Sequence, residues 1–189
     1  MRLDPAYTPI TADEFLAMDF GTDRRFELVD GVIQMMTGGS SVHARVAGNI
    51  YLFLRLRLRG TPCQPYSSDM GVRVDETTVR YPDVTVFCDK PWEFDKDAAL
   101  AFDNPRVIFE VLSPTTSTLD QGTKLEEYRW LPSVDTVVFI DPVSELTRTF
   151  QRQEGEGDSW TDSTFAQPHD VRLPSLRLTI PAFEIFRRD

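Results

Sequence analysis

The run Val107-Ile108-Phe109-Glu110-Val111-Leu112 is apolar except for one carboxylate. A short continuous apolar run of this kind reads as a strand buried on both faces. An ionised Glu inside it is costly unless it is paired or bound to a metal. Proteins keep such groups mainly where they have a use. Asp83 has a similar setting, in Arg80-Tyr81-Pro82-Asp83-Val84-Thr85-Val86-Phe87. Residues 79–87 read as one strand with a proline inside it. Proline removes a ladder donor and marks an edge, a strand start or a bulge, so a kink there aims Asp83 out of the regular pleat. A plainer alternative stands beside this one, in which Asp83 simply follows Pro82 in a turn. If the two strands are sheet neighbours, both carboxylates point at one spot near the strand ends. Paired oxygen ligands of that sort suit Mg2+ or Mn2+.

The rest of the chain supplies a frame for these strands. Thr11 with Glu14 forms a helix capping box, and a short helix through Met18 follows. Strands at 26–29 and 32–36 flank Asp30-Gly31, a strong hairpin turn. After the loop 37–41, Val42, Val46, Ile50 and Phe53 mark one apolar helix face. Residues 54–59 alternate apolar and basic like a strand, but the first clear breaker is Gly60-Thr61-Pro62, so one helix to about Leu58 is expected. Met70, Val72 and Val74 alternate as in a half-buried strand. Residues 89–104 are a long polar and aromatic connection. A helix at 118–130 and a buried strand at 134–140 come next. A hairpin joins 146–152 to 159–165, a last strand covers 176–180, and Pro181 opens a short helix at its first position.

At 189 residues the chain is expected to be a single domain, 1–189. Lys plus Arg number 20 against 30 Asp plus Glu, a net charge of −10. That field repels a polyanion, so a DNA-binding role needs a local basic strip. Arg55, Arg57 and Arg59, Arg24 and Arg25, or Arg187 and Arg188, offer one. Cys63 and Cys88 give no disulfide framework and no zinc spacing, and read as ordinary thiols of a reducing compartment. No signal-peptide pattern and no apolar run near 18 residues is seen, so a cytoplasmic location is expected. Phosphate-binding Walker loops and Gly-x-Ser-x-Gly elbows are absent.

On the helix at 118–130, Asp120, Lys124 and Tyr128 stand four apart and share a face. In isolation that is a surface Asp–Lys pair with a packed tyrosine. In combination with Pro82-Asp83 and Glu110 it resembles the PD-(D/E)XK nuclease superfamily, and within it the Uma family of restriction-endonuclease-like proteins. The resembling segments are Phe26-Glu27-Leu28-Val29-Asp30-Gly31, His43 after the Gly-rich loop, Arg80-Tyr81-Pro82-Asp83-Val84, Glu110-Val111-Leu112-Ser113-Pro114, Lys124 with Tyr128, and Val138-Phe139-Ile140-Asp141-Pro142. The superfamily lysine usually lies two residues after the Glu, where this chain has Leu112. Lys124 is the residue that matches.

The resemblance implies an α/β (α+β) fold, a restriction-endonuclease-like mixed central sheet flanked by helices. It implies a Mg2+- or Mn2+-dependent endonuclease that hydrolyses DNA phosphodiester bonds. Asp83 and Glu110 would hold the metal with the Val111 carbonyl as a third ligand, and Lys124 would orient water or stabilise transition-state charge. Glu27 would approach the metal or serve as a surface strand residue. His43 would touch phosphate, act as an acid, or be structural. Tyr128 would place Lys124 by packing, and Gln34 reads equally as a plain strand residue. A homodimer or higher homo-oligomer could line two basic strips along one groove. Two other functions stay open: a catalytically silent nuclease-fold protein acting as a binding or regulatory module, and a metal-dependent hydrolase of small phosphate esters.

Overall fold

The computed structural model describes residues 8–88, 99–113, 118–153, 155 and 159–189, with 118–120 as backbone alone. The expected capping box starts helix α1 (Ala12–Leu16): Glu14 N–H donates to Thr11 Oγ1 at 3.2 Å and Thr11 N–H to Glu14 Oε2 at 2.8 Å. Strands β1 (Phe26–Val29) and β2 (Val32–Met35) pair across Asp30-Gly31, whose φ angles are 50° and 74°. Two positive φ values are what a tight hairpin with right-handed strand twist requires. Helix α2 (Ser41–Arg57) begins at Ser40, whose hydroxyl accepts the His43 N–H at 3.2 Å. The helix wins over strand alternation at 54–59 because Leu54 and Leu58 reach the core while Leu56 stays exposed.

The remaining elements are β3 (Cys63–Ser67), β4 (Gly71–Arg73), β5 (Val79–Arg80), β6 (Val84–Cys88), β7 (Ala101–Phe102), β8 (Pro105–Val111), α3 (Thr118–Trp130), β9 (Thr136–Ile140), β10 (Thr147–Arg152), β11 (Trp160–Phe165), β12 (Val171–Leu173), β13 (Leu178–Ile180) and α4 (Ala182–Ile185). They form a six-stranded sheet in the order β11-β10-β9-β8-β6-β3, a five-stranded sheet β2-β1-β5-β4-β7, and the pair β12-β13. The fold is α+β with mixed sheets. β8 and β9 are parallel and α3 lies between them in the chain, as a parallel pair needs a long crossover. All five residues of β9 are buried, and so are all five of β6.

The large sheet buries both faces. On one, Val46, Ile50 and Leu54 of α2 pack on Val84, Val86, Val107 and Phe109. On the other, Tyr128 and Leu131 meet Phe87, Ile108, Val137 and Phe139. Each such side chain, fully buried, stabilises by about 1.5–3 kcal/mol. Pleat parity then decides where Glu110 goes. Val107, Phe109 and Val111 face α2, so Ile108 and Glu110 face Tyr128.

Several expectations are corrected. Residues 79–87 are not one strand: β5 and β6 belong to different sheets, because the chain turns at Pro82 where no ladder donor exists. The cysteines are not free thiols. Cys63 and Cys88 are register partners on β3 and β6 and form a disulfide with Cα atoms 4.0 Å apart. No strand is expected from the sequence at 63–67, and that hid the proximity. Pro181 stands just before α4 as its N-cap rather than at the first helical position. Residues 174–176 form a 3-10 turn, and the last strand starts at Leu178. Most of the 89–104 connection, Pro114 to Ser117 and the tip of the β10–β11 hairpin lie outside the described residues. Among the described residues no helix is long and apolar enough to cross a membrane.

Candidate active site

The turn at Pro82 builds the first half of the site. β6 and β8 are antiparallel with Val84 opposite Phe109. One step further along that register sets Asp83 opposite Glu110. The ladder stops there, so the Val111 N–H would lack a strand partner. Asp83 Oδ2 accepts it at 2.7 Å. This bond fixes the Asp83 carboxylate at the strand end and answers both earlier readings of it: Asp83 follows a proline in a turn, and the turn aims it at the neighbouring strand.

Helix α3 builds the second half. Lys124 Nζ donates to both Glu110 oxygens at 3.2 Å, and the Tyr128 hydroxyl donates to Oε1 at 2.6 Å. Glu110 is 7% exposed. Its carboxyl is raised above the usual range, first by burial and also by the charge of Asp83, while Lys124 and Tyr128 pull the other way. Burial and the Glu110 charge push the Tyr128 phenol well up. Tyr128 therefore does more than pack beside Lys124, since it holds Glu110 directly. The side chain of Asp120 lies outside the described residues.

His43 closes the third side from the first turn of α2. Its Nε2 is 3.2 Å from Asp83 Oδ1. The hydrogen bond to Asp83 raises its pKa, against burial, with help from the Val111 carbonyl and the Glu110 charge. Gly39 makes this approach possible, because a Cβ there would stand 2.5 Å from His43 Nδ1. Nothing in the sequence pattern marked that glycine beyond its place in a loop.

These groups line a cleft of about 490 Å3 that also includes Arg24, Arg25, Gly38, Tyr81 and Ser113. Of the three basic clusters foreseen, Arg24 and Arg25 line it, and Arg187 and Arg188 do not. Arg55, Arg57 and Arg59 sit at the far end of α2, about 18 Å or more along the helix from His43. Glu27 takes another partner: Arg80 Nη1 donates to Glu27 Oε1 at 2.9 Å, and Arg80 also grips both oxygens of Glu127 at 2.7 Å. Gln34 is exposed on β2. Among the described residues no group of three His, Cys, Asp or Glu side chains converges as a metal cluster. Asp83, Glu110 and Val111 line the same cleft, and their carboxylate and carbonyl oxygens would be the donors for an ion there. Such a set fits a hard ion that keeps several waters and takes only one or two carboxylates from its protein.

The comparisons agree with this architecture. The chain is similar to a protein from Anabaena variabilis ATCC 29413 whose crystal structure is described as a putative nuclease belonging to DUF820. The TM-score is 0.74 and identity 20%, over 94% of this chain and 98% of that one. It is 25% identical over 182 residues to the uncharacterized protein slr1290 of Synechocystis sp. (strain ATCC 27184 / PCC 6803 / Kazusa), covering 96% of this chain and 93% of the relative. It is 28% identical over 144 residues to sll1609 of the same organism, also uncharacterized, covering 76% and 81%. The model of a family described as "Putative restriction endonuclease", Uma2, matches residues 12–185. The chain belongs to the Uma2 family.

Proposed function

We propose that the protein is a metal-dependent endonuclease hydrolysing DNA phosphodiester bonds, with Asp83 and Glu110 as ligands of Mg2+ or Mn2+. The observation that carries the reading is that Asp83, from the turn before β6, and Glu110 of β8 share one open cleft with Lys124 of α3. When bound, the ion supplies Lewis acidity at the phosphoryl group. Asp83 is held in place by Val111 N–H, and Glu110 by Tyr128 and Lys124. Lys124 donates hydrogen bonds toward the phosphoryl oxygens or the attacking water, where negative charge develops in the transition state. His43, whose Nε2 stands 3.2 Å from Asp83 Oδ1 at the edge of the cleft, would touch a phosphate oxygen or act as an acid. Arg24 and Arg25 stand where flanking phosphates would lie, a local cationic pair on an otherwise acidic molecule.

Plasmid DNA incubated with Mg2+, Mn2+ or EDTA, beside Asp83→Ala and Lys124→Ala, tests the reading. Metal-dependent cutting by the wild type, lost in both variants, is expected. A folded wild type that neither cuts nor gains thermal stability with Mn2+ overturns it in favour of a silent binding module.

A further inference from the structure

A second cavity opens beside the cleft. It holds about 240 Å3 and is lined by Phe15, Met18, Phe20, Phe26, Tyr81 and Leu100, among others. Arg24, Arg25, Met36, Ser68 and Tyr81 belong to both walls. We propose that this pocket receives one unstacked nucleobase of the strand whose phosphate lies at Asp83 and Glu110, a proposal that rests on the nuclease reading of those carboxylates.

Four observations carry it. The first is shape and chemistry. Phe20 and Phe26 are stacked with centroids 4.4 Å apart, and Phe15 is tilted against Phe20 at 5.7 Å. The face of a planar base stacks on such rings whatever its sequence. The second is size. The cavity lies below the range of about 300–1,000 Å3 typical of pockets for drug-sized ligands, so it suits one ring system and excludes a base pair. The third is position. Tyr81 lines both cavities and lies two residues before Asp83, so the pocket adjoins the cleft that holds the carboxylates. The fourth is exposure beside polar groups. Met18, Phe20 and Leu100 keep 39%, 36% and 56% of their surface. At the rim, Arg25 Nη1 donates to Ser68 Oγ at 2.7 Å and Arg25 Nη2 pairs with Asp69. These donors and acceptors are of the kind that read a base edge.

The pocket also answers the charge problem. A protein of net charge −10 gains little from its long-range field on DNA. Stacking supplies affinity that does not depend on that field. A base buried in a duplex cannot enter, so strands that are single, mismatched or easily unpaired are the preferred substrate class.

The test measures binding in EDTA to three labelled probes: a single strand, its duplex, and a strand of the same length built only of abasic sugar-phosphates. The intact single strand should bind about tenfold more tightly than the abasic one, and more tightly than the duplex. Phe20→Ala should bring the ratio of intact to abasic binding close to unity while leaving abasic affinity unchanged. Photocrosslinking of wild type to a halogenated-uracil strand, with peptide mapping, needs no variant and should label Phe20, Phe26 or Tyr81. Equal affinity for intact and abasic strands, or crosslinks confined to other surfaces, overturns the pocket. If such a protein still cuts plasmid in Mg2+, the nuclease reading survives. Loss of metal-dependent plasmid cutting is the separate result that removes that reading.

Discussion

Lys124 Nζ lies 3.2 Å from both oxygens of Glu110 although the lysine stands on α3 and the glutamate on β8. The position two residues beyond Glu110, Leu112, shares its pleat parity and packs with the α3 core. Two backbone positions can therefore deliver an ammonium to one carboxylate. Lys124→Met should lower metal-dependent plasmid cutting by about 100-fold or more. Adding Leu112→Lys should restore part of it, because the new side chain leaves β8 on the same face. A rate no higher in the double variant than in Lys124→Met would argue against this geometric equivalence.

Gly39 and His43 make a second coupled pair. A Cβ at residue 39 would stand 2.5 Å from the imidazole, which must then leave Asp83. Gly39→Ala should reduce cutting as much as His43→Ala does, and the double variant should lose no more than either. Residue 39 is an exposed loop position, so thermal stability should change by only about 0.5 kcal/mol. Additive losses in this cycle would separate the two residues.

The Cys63–Cys88 bond ties edge strand β3 to β6 across 25 residues. Closing a loop of this length stabilises by about 3 kcal/mol in the chain-entropy account. Cys63→Ser, or reductant on the wild type, should lower Tm by about 6–12 °C for a chain of this size. Intact-mass measurement without reductant should show two hydrogens fewer than the free-thiol chain. A free-thiol mass and an unchanged melt in reductant would remove the bond from the protein's stability.

Much of this was legible because each signal was local. The Thr11 capping box, the Asp30-Gly31 turn and the buried runs around Glu110 and in 136–140 each carry their structural cause in adjacent residues. The break between β5 and β6 was less legible. Pro82 announced an irregularity, but a proline inside a β-rich run does not say whether the strand kinks or changes sheet. β3 was hidden because Cys63-Gln64-Pro65-Tyr66-Ser67 alternates poorly, and its partner β6 decides its state. The Gly39–His43 contact and the division of the arginines between cleft and far helix end depend on tertiary placement. No periodicity encodes either.

The same limit applies to Arg80, whose neighbours in sequence give no hint that it joins β1 to α3. Arg80 is 2% exposed and holds Glu127 with two nitrogens and Glu27 with a third. Burial opposes its charge, yet the bonds to Glu127 and the fields of both glutamates keep its pKa above the ordinary value. Glu127 lies one residue before Tyr128 and three after Lys124, so this bridge sets the seat of α3. Arg80→Met would leave two largely buried carboxylates without a cation, at a cost of about 3 kcal/mol, or about 6–12 °C in Tm. Arg80→Lys should recover only part of that, since one ammonium cannot reproduce the fork. Removing all three charges with Glu27→Gln and Glu127→Gln in the Arg80→Met background should regain stability without regaining the position of Lys124. The discriminating measurement is cutting well below the melting temperature: restored Tm with depressed cutting marks Arg80 as a positioning residue. If cutting recovers together with Tm, Arg80 acts on stability alone.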